Sequence, residues 1–176
     1  DMNMIIFAIC MPVVVMVILG LIYGDRPAFP GAEYTFLAQS FGAGSAIAIC
    51  AAGLMGLPLV VSDYRYKKIL KRYQVTPTSP VLLLGVQVAV NVLYALVSLI
   101  LTYLTVRIFG GRLPGSWLGF AGAYLLVMLS IFSLGMMVGG LAPNMKAAGL
   151  WCTILYFPML ILSGTTLPYE VMPRAM

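Results

Sequence analysis

Five stretches of this chain contain no Asp, Glu, Lys or Arg: about Met4 to Tyr23, Phe36 to Val61, Pro80 to Val106, Ser116 to Leu141 and Ala147 to Ser163. In each the apolar residues run on without the alternation of a membrane-barrel strand. A hydrocarbon layer about 30 Å thick is crossed by about 20 helical residues. Inside it every backbone N–H and C=O needs a partner within the protein, which helices supply. The five runs are therefore read as membrane spans of an all-α helical bundle. Pro158 is expected to kink or shorten the last one. Composition agrees: 9% of the 176 residues are charged, against about 25% in soluble domains, and mean hydropathy is +1.04.

Several chemistries are excluded by what the chain lacks. There is no histidine, and the five acids (Asp1, Asp25, Glu33, Asp63 and Glu170) map to loops or span edges. No carboxylate pair can therefore be placed inside the bilayer, and no span carries an ionisable group near its middle, where ion-coupled carriers usually put one. A GxxxxGK[ST] phosphate loop is missing as well. The chain is read as having no catalytic residue, metal site or cofactor of its own, so uphill transport would draw its energy from another polypeptide. Cys10, Cys50 and Cys152 lie in apolar runs at irregular spacing and are expected to be buried filler.

Orientation follows from Lys and Arg near the span ends. The loop after the second run holds Arg65, Lys67, Lys68, Lys71 and Arg72, and the loop after the fourth holds Lys146; Arg26, Arg107, Arg112 and Arg174 lie on the other side. This bias puts the N-terminus and residues 62–79 in the cytoplasm. The +5 net charge belongs to topology and gives no reason to expect nucleic acid. Residues 1–176 are read as one transmembrane domain, incomplete at both ends and without a cleavable signal peptide.

Within residues 62–79, Tyr66, Ile69, Leu70 and Tyr73 follow i, i+3, i+4, i+7 spacing, with the five basic residues on the opposite face. The spacing predicts a short amphipathic helix over about Tyr64 to Gln74. Ser62 or Asp63 would cap it, Pro77 would stop it, and Ser79-Pro80 would open the next span. One use of this helix is as an anchor to anionic lipid, at about 1 kcal/mol per basic residue. The other is as a docking surface. In the third run, Gln87, Asn91, Tyr94, Ser98, Thr102 and Thr105 share a sector of roughly 80°. Such a stripe should face protein or a water-accessible path, as interhelical glue or as a pathway wall. On this basis Asn91→Leu should matter more than Leu99→Ala on another face. Gly20 with Gly24, and Gly135 with Gly139, mark candidate close helix approaches.

Two motifs resemble the type-2 ATP-binding-cassette (ABC) exporter permeases. Arg65, Leu70 and Thr76-Pro77 match the Arg-containing helix and leucine-rich turn that follow the second span in that family. Ser163, Gly164, Pro168 and Pro173 match its SG-x3-P-x4-P segment. The resemblance implies six spans, five of them present here. It also implies a cytoplasmic coupling helix (Arg65 to Tyr73, with Pro77) and an outer re-entrant segment at 163–176. It further implies a second permease copy or paralogue, and ABC ATPase subunits holding ATP and Mg, in a bacterial cytoplasmic membrane. The family's glutamates and glycine in the coupling helix are replaced here by Tyr64, Tyr66 and Lys68. A non-enzymatic membrane scaffold, or a passive channel, is the alternative function.

Overall fold

The computed structural model describes residues 6–24, 26–27, 35–73, 79–111 and 115–162. Among them it is helical apart from turns and one isolated bridge, Pro27 with Thr35. A π-helical turn, π1 (Ile6–Cys10), leads into α1 (Met11–Tyr23). Then α2 (Phe36–Cys50), π2 (Ala51–Gly56) and α3 (Leu57–Tyr66) run end to end as one 31-residue rod. The short α4 (Ile69–Tyr73) follows, then α5 (Pro80–Ile108), α6 (Trp117–Leu141) and α7 (Met145–Leu162).

Among the described residues three helices are long and apolar enough to cross a membrane: Phe36–Tyr66, Pro80–Ile108 and Trp117–Leu141. They coincide with the second, third and fourth apolar runs. Ala8–Tyr23 is a shorter apolar helix, and α7 stays helical through Pro158 to Leu162 with no early exit there. The chain is an all-α polytopic integral membrane protein.

Local chemistry sets the helix ends. Thr35 caps α2, its hydroxyl accepting from the Ala38 N–H at 3.3 Å, and Ser79 caps α5 by accepting from Leu82 N–H at 3.2 Å. Pro80 takes the first turn of α5, where its missing N–H is harmless. Both π-helical turns precede a proline, Pro12 in α1 and Pro58 in α3. A proline inside a helix has no N–H to give residue i−4, and its ring collides with that carbonyl. Widening the turn before it relieves the collision. The Leu57 N–H, which bonds the Ala52 carbonyl five residues back, shows the widened pattern.

The 36–66 rod is the centre of the bundle. Its apolar window is 78% buried, against 17% for α5 and 33% for α6. Ile49, Leu54, Leu57 and Val61 from the rod pack with Ala95, Tyr124, Met128, Ile131 and Phe132. A second cluster joins Met16, Leu37, Phe41 and Val106. Leu99 packs against both clusters, so it is not the bland position that its place off the polar stripe implies. Leu93, Leu118, Leu126, Leu150, Trp151 and Phe157 project outward, an apolar exterior suited to lipid or to other membrane helices.

Of the two glycine pairs, one brings helices together. A Cβ at Gly135 would land on the Gly53 carbonyl oxygen, and one at Gly139 would sit 2.8 Å from Val61 Cβ and 3.0 Å from Pro58 Cα. The contacts climb both helices together, Gly53 with Gly135 and then Pro58 and Val61 with Gly139, so the rod and α6 run parallel. Gly20 and Gly24 do not form such a motif. Gly20 makes room for the Phe109 ring, and Gly24, at φ +50, ends α1. The buried-filler expectation for cysteine holds for Cys152; Cys50 is half-buried and Cys10 is exposed.

Candidate functional site: the basic end of the bundle

The rod does not stop where its last apolar residue does. Ser62 is fully buried inside it, and its hydroxyl donates to the Leu59 carbonyl at 3.0 Å. The Asp63 carboxylate accepts from Lys67 at 2.8 Å, one turn on. Neither residue caps a new helix, because the old one is still running.

It ends at Tyr66. Lys67 N–H bonds Asp63 O at 2.9 Å, Lys68 N–H bonds Arg65 O at 3.0 Å, and Lys68 turns left-handed at φ 56. α4 then begins. The single amphipathic helix expected over about Tyr64 to Gln74 is therefore two helices with a joint at Lys67-Lys68. A left-handed lysine costs about 1–2 kcal/mol and persists only where its surroundings dictate it. Here the joint separates the rod from α4. A straight helical wheel cannot foresee it, because no glycine marks the spot.

The joint re-sorts the faces. Arg65, Lys68 and Lys71 converge with Tyr66, Leu70 and Pro143 around a cleft of about 310 Å³. Basic and apolar side chains share this cleft instead of occupying opposite faces, and no carboxylate among the described residues lines it. Tyr66 is 67% exposed, while Ile69 and Leu70 are half-buried. Lys67 lies elsewhere, in a wider cleft of about 590 Å³ with Asp63, Tyr64, Gln87, Tyr94 and Met145 among its walls. Arg72 and Tyr73 close α4. Pro77, like Thr76, lies outside the described residues, and so do Ser163, Gly164, Pro168 and Pro173.

From the edge of the cleft it shares with Lys68 and Lys71, Arg65 also reaches the end of α6. Its guanidinium donates to the carbonyl oxygens of Gly139 and Ala142, each at 3.4 Å, and of Gly140. These acceptors belong to the last turn of α6 and its cap. A helix leaves its final carbonyls without intrahelical partners and carries partial negative charge there. The Ala142 N–H already serves Val138 O at 2.9 Å, and Nη1 of Arg65 lies over Gly139, Gly140 and the cap residue Ala142. The parallel glycine packing puts Arg65 over that end, one turn beyond Val61. Helix spacing alone gives no sign of this pairing; the Gly139-Gly140 step near the end of α6 is the only signal in the sequence that could have found it.

Along α5 the polar stripe is mostly closed in. Asn91, Ser98 and Thr102 are 0% exposed and Thr105 7%. Their bonds stay largely within their own helix: Asn91 amide to Gln87 O at 2.9 Å, Thr102 hydroxyl to Ser98 O at 2.7 Å, Thr105 hydroxyl to Leu101 O at 2.9 Å. Asn91 Oδ1 and Ser98 Oγ are buried without a hydrogen-bond partner among the described residues. Gln87 and Tyr94 open onto the wider cleft. Sequence reasoning missed one helix-to-helix bond here, from the Tyr124 hydroxyl of α6 to the Ala95 carbonyl of α5 at 2.9 Å.

Among the described residues no group of three or more His, Cys, Asp or Glu is placed to hold a metal ion. What this end of the molecule offers is mechanical and electrostatic. A jointed, basic, partly apolar surface is continuous with the central rod and tied to a second long helix. Among curated proteins and solved structures none matches the chain. The family model described as ABC-2 type transporter matches residues 1–176.

Proposed function

Because the chain belongs to the ABC-2 type transporter family, and so is a membrane-spanning component of an ABC transporter, we propose that it lines the substrate path of an exporter driven by separate ATPase subunits. Two permease copies, or one copy and a paralogue, would enclose the path, while ATP and Mg would bind to the ATPases. The membrane would be the bacterial cytoplasmic one, with the N-terminus and residues 62–79 on the ATPase side. Residues 163–176 would re-enter the outer leaflet.

The single observation that carries this reading is the continuity of the rod. The helix buried at the centre of the bundle extends without a break to Tyr66 and there meets the jointed basic segment. A push on the segment from outside the membrane is delivered to the most buried of the three long helices described. Leu70 and Tyr66 offer apolar anchors in a cleft rimmed by Lys68 and Lys71. Anchors of that kind usually carry most of the energy of a contact, and rim charges tune its rate and salt dependence.

The test is ATPase co-purification, and transport per ATP hydrolysed in proteoliposomes, for two sets of variants. Leu70→Asp should abolish coupling with the permease still inserted. Neutralising Lys68 and Lys71 together should give a milder, salt-sensitive loss. The opposite ranking, with charge removal severe and Leu70→Asp tolerated, would identify the segment as a lipid anchor and support a scaffold function.

A further inference from the structure

We infer that Arg65 is a positioning residue, a clasp through which movement of residues 62–79 reaches α6 and α7 as well as the rod. This rests on the proposal above that an ATPase moves that segment. The covalent chain joins the segment only to the rod and to α5. Arg65 adds a third connection, because its guanidinium holds the carbonyl end of α6 at Gly139, Gly140 and Ala142.

The packing places the guanidinium against the end of α6. One turn before Arg65 the rod and α6 are already in backbone contact, since Gly139 has no side chain to hold Val61 and Pro58 away. The bond is made by a cation at the negative end of a helix, to carbonyls that have no other donor there. The contacts all come from one guanidinium nitrogen, Nη1, whose two N–H groups can hold two of these carbonyls at once. Beyond the clasp the chain has little slack. Only Ala142, Pro143 and Asn144 separate α6 from α7. Asn144 caps α7, with Oδ1 accepting from Ala147 N–H at 2.8 Å and its carbonyl from Ala148 N–H at 3.0 Å. Ala148 is fully buried, and Gly149 lies against Leu59 of the rod. Rod, α6 and the start of α7 therefore form one body at this end, and Arg65 is the side chain that fastens it.

The experiment uses the full chain with Cys10, Cys50 and Cys152 replaced and spin labels at Lys67, which lies outside the docking cleft, and Lys146, both exposed. In the arginine protein the distance between labels should be narrow and the same with and without ATP. In Arg65→Gln it should broaden even in the permease alone, and it should differ between nucleotide states in the complex. Transport per ATP hydrolysed should fall about tenfold in Arg65→Gln, on the scale of a charge removed from a partly buried helix end. Arg65→Lys should restore most of it, because the cation still reaches the carbonyls. A label distance indifferent to Arg65→Gln would overturn the clasp, as would loss of the ATPase from that variant, which would place Arg65 on the docking surface. Failure of the unsubstituted chain to bind an ATPase would instead sink the functional proposal. The label distance in the permease alone would still decide the clasp.

Discussion

At the scale of single residues, absent side chains count for more than present ones. Helices in a bilayer gain little from hiding apolar surface from lipid, so close backbone approach has to supply much of the attraction. Gly135 makes such an approach, set against the Gly53 carbonyl. Gly135→Ala should lower stability by about 1–3 kcal/mol, the usual range for overpacking, because the obstructing atom is backbone and cannot rotate away. Gly122→Ala on the same helix meets nothing within 4 Å and should be neutral or stabilising by up to about 1 kcal/mol, the helix-propensity gain. Thermal unfolding of both variants in one detergent gives the comparison; equal melting temperatures would refute the packing. Asn91 is a different case. Its Oδ1 is buried without a partner among the described residues, so Asn91→Leu should leave stability within about 1 kcal/mol. Any loss of transport in that variant would then report on the path and not on folding.

At the scale of elements, much was legible in the sequence. Charge-free runs located the long helices because a helix is the only open structure whose backbone is satisfied in hydrocarbon. Ser79-Pro80 located a helix start because its capping chemistry is local. Two features were not legible. The joint at Lys67-Lys68 depends on what the rod meets beyond the bundle, and Lys68 carries no turn signature. The pairing of Arg65 with α6 depends on parallel packing between helices far apart in sequence. The π-helical turns fall between these cases, since Pro12 and Pro58 were visible but the widening they induce was not. That widening sets the phase of α3 against α6. Pro58→Ala, which in an ordinary helix interior would gain about 3 kcal/mol, should here lower the melting temperature. It frees π2 to tighten into α-helix and rotates Val61 and Arg65 away from Gly139. A rise in melting temperature would show that π2 is not held by the proline.

At the scale of the molecule, the membrane defines the inside of the protein as much as the core does. Outward-facing leucines on α5, α6 and α7 and a buried central rod make sense only for a bundle surrounded by hydrocarbon or by further membrane helices. Topology is then testable with two cysteines in a cysteine-free background. Ser116, exposed at the start of α6, and Tyr66, exposed at the end of the rod, lie at opposite ends of long helices. A membrane-impermeant thiol reagent should label Ser116→Cys in intact cells and Tyr66→Cys only after permeabilisation. The reverse pattern would invert the proposed orientation. The π-helical turns also have a consequence for how many residues the rod needs. A turn of that kind holds about one residue more than the α-helix it interrupts, so the rod carries one residue more than an unbroken α-helix of the same length would. Deleting Met55 together with Pro58→Ala should therefore return the downstream chain to register and recover the stability that Pro58→Ala alone loses, leaving a protein one residue shorter with the same architecture.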